Sequence, residues 1–254
     1  MLIALLFAAA VHHAVARKPV ARPASALDRV IAQARKDHFA VNSDPFAAPA
    51  APAAAEGTPF RITLPVKRDM GFGSHDPMWT YKEGTLWLTL NPWTYDYRQP
   101  DYSGKPFYVE RIDIRSDCKD GRGYVGQNGF GASRNVSVLR CRTDSIVVDD
   151  DFVERLRAND TPGISKSRAE VGLKLEPVEA KKIANDVQLL IEGQLVNLKT
   201  GRLAQCHTMG DKATIDDPTD WSNEICFAGA KVTRIAYVRP TTGSVVAEWK
   251  ADAN

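Results

Sequence analysis

The chain has 254 residues, of which 44 % are hydrophobic and 25 % charged, and its formal net charge is +2 at pH 7. Proteins that bind nucleic acids usually carry a strongly basic surface, so this near-neutral balance predicts no nucleic-acid partner. The length is sufficient for one large hydrophobic core or for two small ones.

An export signal is predicted at the start of the chain. Leu2 to Val11 are uniformly apolar, and Ala14-Val15-Ala16 follows the A-x-A pattern that signal peptidase reads. An apolar run of about 10 residues rises roughly 15 Å as a helix, too short for a bilayer core of about 30 Å. We therefore expect residues 1–16 to be a signal peptide cleaved after Ala16. The mature protein is then a periplasmic or secreted bacterial protein with no transmembrane span.

The four cysteines follow this leader, as in an exported protein that forms disulfides. Four cysteines allow three pairings, and the sequence alone does not select one. We favour Cys118–Cys141 and Cys206–Cys226 because each pair falls within one strand-like stretch. The alternative is a metal site built from Cys206, His207 and two further thiolates. The chain lacks the C-x-x-C spacing that is common in zinc sites, which favours the disulfides.

Residues 17–59 are rich in proline and alanine and contain one predicted helix. Ser25 and Asp28 form a capping-box pattern at its start. The residues expected on one helical face are Leu27, Val30, Ile31, Ala34 and His38. The sequence leaves open whether this helix packs on the domain or acts as a spacer that docks a partner. Asp44 to Pro59 is predicted to be an extended linker.

From Phe60 onward the chain shows the alternating pattern of β-strands. We predict a first β-rich half over 60–150, a short helical connection over 151–186 and a second β-rich half over 187–254. The connection contains one helix beginning at Asp150 or Asp151 and ending near Asn159, and a second from Pro177 to Ile183. The sequence leaves open whether 60–254 is one domain or two duplicated modules.

Three turns are predicted to close hairpins, at Glu83-Gly84, Lys199-Thr200-Gly201 and Thr241-Thr242-Gly243. The predicted fold is mainly β, or β-rich α+β. It is an antiparallel sandwich or a partly open barrel with two or three short helices and two disulfides.

Aromatic residues are concentrated between Trp79 and Tyr108. The candidate ligand-binding residues are Trp87, Trp93, Tyr95 and Tyr97. The last three are spaced by two and share one face of a strand, where aromatic rings can stack on sugar rings. The simpler interpretation is that they supply buried area to a strand. Pro92 and Pro100 flank the group, which favours an edge strand or a loop.

Metal and catalytic signals are weak. Asp216, Asp217 and Asp220 are calcium candidates because calcium prefers several carboxylate oxygens, although aspartate beside proline is also ordinary turn chemistry. Ser74-His75-Asp76 contains the residue types of a catalytic triad, but adjacent side chains diverge. No cofactor and no catalytic residue are predicted.

The sequence therefore predicts an exported periplasmic or cell-envelope protein that is a non-enzymatic binding module for a glycan or a protein partner. The alternatives are an envelope hydrolase whose site is not visible in the sequence and a structural assembly subunit.

Overall fold

The computed structural model describes residues 25–44, 51–69, 76–90, 93–97, 107–127, 129–148 and 169–250. Within them are two helices, α1 (Ala26–Ser43) and α2 (Pro177–Ala184). The strands are β1 (Pro59–Pro65), β2 (Lys67–Arg68), β3 (Met78–Lys82), β4 (Thr85–Leu90), β5 (Trp93–Tyr97), β6 (Phe107–Asp120), β7 (Tyr124–Gln127), β8 (Ser133–Val148), β9 (Ala169–Lys174), β10 (Gln188–Leu195), β11 (Ala204–Asp211), β12 (Thr219–Arg239) and β13 (Ser244–Lys250). The prediction of a mainly β fold is confirmed.

The 21-residue strand β12 belongs to a nine-stranded sheet and pairs with four of its other strands. On one side it pairs antiparallel first with β11 and then with β10, which in turn pairs with β1. On its other side it pairs parallel with β8 over Thr219–Ala230 and antiparallel with β13 over Arg234–Arg239. Strands β6, β5 and β7 extend the sheet beyond β8. One long strand therefore supports two different sets of neighbours along its length.

The second sheet has four strands in the order β2-β3-β4-β9. One face of β4 contributes Leu86, Leu88 and Leu90 to the main core. The nine-stranded sheet meets them with residues that include Leu189, Ile191 and Tyr237. Both sheets are thus packed around a single buried cluster, and hydrophobic burial of this kind is the main driving force for folding.

Helix α1 packs on the sheet through its predicted apolar face, because Leu27, Val30, Ile31 and Ala34 are all buried. The capping box is present: Ser25 and Asp28 exchange hydrogen bonds at the helix N-terminus. The Arg35 guanidinium lies 2.5 Å from a carboxylate oxygen of Asp144 and 3.4 Å from one of Glu224. The helix therefore packs on the domain, which was the first of the two alternatives that the sequence left open.

The predicted turns form, but at one of them the strands beyond the turn do not pair with each other. Glu83 and Gly84 join β3 to β4 with positive φ angles of 53° and 73°, and residues 240–243 join β12 to β13. At Gly201 a turn also forms, closed by the Leu198 carbonyl and the Gly201 amide. The strands on either side of it do not pair with each other, because both pair with β12. The Leu198 amide also donates a 2.7 Å hydrogen bond to the Arg202 carbonyl, so the predicted hairpin is closed at its turn but does not extend into a β10–β11 pair.

The predicted disulfides, Cys118–Cys141 and Cys206–Cys226, are both present, each joining residues directly opposite on adjacent strands. In the β8–β12 register, Cys226 lies opposite Asp144, three residues beyond Cys141. Because successive side chains alternate between the faces of a sheet, the two disulfides lie on opposite faces. The two disulfides indicate an oxidising compartment.

Several predictions fall outside the described residues. These are the leader over 1–16, the helix near Asn159 and the Ser74-His75 pair. Among the residues described, no helix is long and apolar enough to cross a membrane.

Candidate functional site

The outer part of the large sheet forms a projection that we call the arm, defined as residues 117–142 and 208–224. It consists of the ends of β6, β8, β11 and β12 together with all of β7. None of its described residues belongs to either buried hydrophobic cluster. Among its described residues, the arm buries three side chains, those of Val136, Cys141 and Asp220. The arm is therefore not held in place by a hydrophobic core of its own.

Covalent and ionic contacts hold the arm together instead. The Cys118–Cys141 disulfide joins β6 to β8. Across the seam between β8 and β12, the Arg140 guanidinium donates hydrogen bonds of 3.2 and 3.4 Å to the two carboxylate oxygens of Asp220. Lys212 lies 3.6 Å from the same carboxylate. The hydrogen bond from Arg140, followed by the charges of Arg140 and Lys212, lowers the pKa of Asp220.

The free end of the arm, which we call the tip, carries exposed apolar side chains. Tyr124 and Val125 on β7 are 46 % and 67 % exposed, and Ile215 in the β11–β12 loop is 47 % exposed. Phe130, in the turn between β7 and β8, is 97 % exposed. Large apolar side chains grouped in this way on a surface commonly mark an interaction site.

A cavity of about 550 Å³ is lined in part by Tyr124, Val125 and Ile215. Its walls are β7, the first residues of β8 and the 213–215 segment. Arg134 closes the contact between the two sides by donating a hydrogen bond to the carbonyl of Ile215. The tip thus presents both a projecting aromatic ring and a recess lined by Tyr124, Val125 and Ile215.

The glycines of Gly121–Gly131 explain why β7 folds back closely on β8. A Cβ at position 123 would lie 2.8 Å from the backbone oxygen of Val136, so only glycine fits there. Gly131 has a φ angle of +85°, which closes the turn before β8. The tip is not among the sites predicted from the sequence. The signal was present as Tyr124, Val125 and Phe130 placed between turn-forming glycines.

The outer edge of the arm is charged. Within the described residues, no strand pairs with the outer side of β6 beyond Arg111. This stretch carries Arg115, Asp117, Lys119 and Asp120, all exposed. Charged side chains on an open edge oppose the addition of another strand. A partner is therefore better accommodated at the apolar tip than along this edge.

The four aromatic residues predicted from the sequence lie in two different sheets. Trp87 is on β4 in the four-stranded sheet, whereas Trp93, Tyr95 and Tyr97 form β5 in the nine-stranded sheet. Among the described strands β5 is the last in the path of that sheet, which agrees with the edge-strand alternative that Pro92 and Pro100 favour. The side chains of β5 lie outside the described residues, and their role in binding stays a prediction.

Trp87 is partly exposed and lies on the face of β4 opposite the core, since its neighbours Leu86 and Leu88 point into the core. Its ring occupies the space above Gly172 on β9, where an added Cβ would approach the ring within 2.7 Å. Gly172 therefore leaves the space that the indole ring occupies against the backbone of β9. This geometry suits a stacking platform for a ligand ring.

The calcium candidates do not form an open group of carboxylates. Asp220 is buried against Arg140 and Lys212, so its oxygens already face two cations. Asp217 closes the local turn, accepting a 3.1 Å hydrogen bond from the Thr219 amide. This arrangement favours the alternative of ordinary turn chemistry.

The alternative of a metal site built from cysteine thiolates is wrong, because the cysteines are oxidised to disulfides. Among the described residues, the one group with metal-ligand spacing is Cys206, Glu224 and Cys226. Both of these cysteines are in a disulfide and supply no thiolate. His207 lies on the other face of β11, with its ring 5.8 Å from that of Phe227. Burial, followed by the charges of Arg111 and His38, lowers the pKa of His207 to about 4.

A second cavity, of about 390 Å³, lies between α1, residues 52–56 and residues 201–204. Four of its polar side chains are paired with each other: Gln33 donates a 2.8 Å hydrogen bond to Asp37, and Asn197 donates one of 2.8 Å to Glu56. These pairs leave the tip of the arm as the stronger candidate site.

Comparison of the chain with known protein families, with curated proteins and with solved structures finds no match. The candidate site therefore depends on the geometry described above.

Proposed function

We propose that this protein is an exported periplasmic or cell-envelope binding module, without enzymatic activity, that engages a protein partner through the tip of its arm. The single observation that carries the proposal is the apolar tip at the end of an arm without its own core. Apolar side chains in that position are left largely exposed by this chain's own fold, and Phe130 almost completely so. Their burial against a partner would be favourable by about 25 cal/mol per Å² of apolar surface.

Two features support the proposed location. Disulfides form and persist in oxidising compartments such as the periplasm. The apolar run and the A-x-A pattern before residue 17 are typical of a cleaved secretory leader. N-terminal sequencing of the exported chain is expected to begin at Arg17, and a chain beginning at Met1 would contradict the cleavage.

The binding proposal is tested by placing a photo-crosslinking amino acid at position 130 in the full chain, expressed in the cells that export it. The matched control places the same amino acid at position 39. Phe39 is 73 % exposed on α1 but lies outside the arm. We expect ultraviolet light to produce a discrete adduct with a protein from position 130 and none from position 39. The absence of any adduct at position 130, or equal adducts at both positions, would contradict the proposal.

The second candidate function is glycan binding, and the observation that favours it is the position of the Trp87 ring over Gly172. An aromatic ring with one face against the protein can stack its other face on a sugar ring. Titration with soluble peptidoglycan fragments is expected to change the tryptophan fluorescence in a saturable way, and Trp87→Phe is expected to reduce that change. A flat titration would remove this candidate. Equal responses from wild type and Trp87→Phe would place any binding elsewhere.

A further inference from the structure

We propose that the protein partner of the tip is a second copy of the same chain, and that two arms associate about a two-fold axis. This inference rests on the proposed function and identifies its partner. In the complex, Phe130 of each copy enters the tip cavity of the other, and the basic side of one arm faces the acidic side of the other.

The first argument is that one tip contains both halves of a contact. Phe130 is almost completely exposed, and the 550 Å³ cavity between β7 and the 213–215 segment is lined from Ala132 onward, close to Phe130 in the chain. A two-fold interface requires a patch that is complementary to itself, so that residue i contacts residue j and j contacts i. A projection and a recess on one patch meet that requirement, because each copy supplies one aromatic ring and accepts the other.

The second argument is the distribution of charge across the arm. The β6–β7–β8 side, residues 117–142, contains five Lys or Arg residues and two Asp residues, a net charge of +3. The β11–β12 side, residues 208–224, contains one Lys and five Asp or Glu residues, a net charge of −4. A two-fold axis along the arm sets the positive side of one copy against the negative side of the other, which is electrostatically favourable.

Some of these charged side chains form ion pairs within the arm. Arg140 pairs with Asp220, and Arg142 lies 3.3 Å from Glu224. Others remain at the surface: Arg122 on the basic side, and Asp211 and Asp216 on the acidic side, are exposed. Within the described residues no ion pair engages these three. They are therefore able to face a second copy.

A closed pair fits the structure better than an open polymer. A sheet that grew by edge pairing would need the outer edge of β6, and that edge carries Arg115, Asp117 and Lys119. Charges there oppose strand addition. Contact through the tip uses the same patch on both copies and ends at two. The patch is small, so the interface belongs with weak and reversible contacts, at the low end of the size range.

The test uses sedimentation equilibrium on the full exported chain with both disulfides intact, over a range of protein concentrations and at low and high salt. We expect a monomer–dimer equilibrium that weakens as salt rises, because screening reduces the attraction of exposed charges. Phe130→Ser is expected to raise the dissociation constant about tenfold or more, as for a central aromatic side chain in an interface. Phe39→Ser, a matched change of an exposed phenylalanine outside the arm, is expected to leave the constant unchanged.

Charge reversal provides a second set of variants that does not depend on Phe130. Arg122→Glu and Asp216→Lys each place a charge of the wrong sign on one side of the arm, so each is expected to weaken the dimer. The double variant restores opposite charges on the two sides and is expected to regain affinity relative to either single variant. Both positions are exposed, so all three variants are expected to keep the thermal unfolding midpoint of wild type.

The results separate this inference from the proposed function. A dimer that depends on Phe130, with position-130 photo-adducts of twice the chain mass, supports both. A chain that stays monomeric at every concentration, while position 130 crosslinks to a different protein, overturns the self-association and leaves the binding function standing. A monomeric chain with no adduct overturns both. A dimer that Phe39→Ser weakens and Phe130→Ser does not overturns the tip as the interface.

Discussion

The core region and the arm are built from the same strands but are stabilised in different ways. Along β12, one face of the stretch between Cys226 and Tyr237 contributes to a buried cluster shared with α1, α2 and the four-stranded sheet. From Thr219 to Glu224 the same strand belongs to the arm, where the disulfide and the ion pairs provide the cross-links. A strand can therefore extend beyond its core when covalent and ionic links replace hydrophobic packing.

The difference also assigns different roles to apolar residues. In the core region they are buried and contribute to folding. At the tip they are exposed and contribute little to the free energy of unfolding, so their location calls for another explanation. Binding to a partner would explain why these apolar residues are exposed at the tip. If this comparison is right, core substitutions change stability, tip substitutions change association, and the substitutions between them change the order of the arm alone.

The largest expected effect is in the core region. Leu88 is completely buried between the two sheets, so Leu88→Ala removes packed methyl groups and leaves a cavity. We expect a loss of about 2–5 kcal/mol in the free energy of unfolding. The matched tip variant, Val125→Ala, is expected to lie within about 0.5 kcal/mol of wild type. Urea unfolding of both variants checks this contrast, and equal losses would show that the tip is part of the core.

The two disulfides are expected to differ in their effect even though they close similar loops, with sequence separations of 23 and 20. The chain-entropy model assigns each about 3 kcal/mol. Cys226 is fully buried in the core, so the double variant Cys206→Ser/Cys226→Ser is expected to lower the global unfolding midpoint strongly. Cys118→Ser/Cys141→Ser is expected mainly to speed amide exchange in the arm. Equal decreases in the unfolding midpoint of the two double variants would contradict an arm that loses its structure separately from the core region.

A smaller, local effect is expected at the seam of the arm. Asp220→Asn removes the carboxylate that accepts hydrogen bonds from Arg140 and lies beside Lys212. We expect faster hydrogen exchange in residues 208–220 and 133–140, with the unfolding midpoint of the core unchanged. Asp217→Asn, in the neighbouring exposed turn, is the control and is expected to have less effect. A global loss of stability in Asp220→Asn would show that seam and core unfold together.

The smallest expected effect is a pH dependence from His207. Its folded-state pKa of about 4 lies below its ordinary value of 6.5, so the unfolded chain binds more protons between these values. The His207 contribution to stability is therefore fully present above about pH 6.5 and is lost as the pH falls toward 4. Because the ring is partly exposed, solvent moderates the effect. His207→Gln is expected to flatten the pH profile of urea unfolding in this window, and an unchanged profile would contradict it.

Local features of the fold were predictable because they depend on residues close in sequence. The capping box at Ser25 and the turn at Gly84 require only neighbouring residues and the conformational freedom of glycine. The place of β5 at the end of the described strand order agrees with its flanking prolines, which cannot donate ladder hydrogen bonds. The disulfide pairs followed from strand-like stretches that each held two cysteines.

The long-range pairing was not predictable in the same way. Strand β8 pairs parallel with β12 across about eighty residues, as in the register of Ser137 with Thr219 and of Val148 with Ala230. No local pattern encodes that choice of partner. The turn at Gly201 shows the consequence: the turn chemistry was identified, but the flanking strands had a better partner in β12 than in each other. The tip was missed because the periodicity of a strand does not show whether its residues have a core beneath them.

Hydrogen exchange measured at two protein concentrations tests the central claim most directly, namely that the tip is a binding surface and not part of the core. At high concentration, where the dimer is populated, we predict slower exchange in residues 124–134 and 213–217. Amides of β4, β10 and the core half of β12 should exchange at the same rate at both concentrations. Identical exchange at the tip under both conditions, combined with slow exchange there in the monomer, would contradict the account.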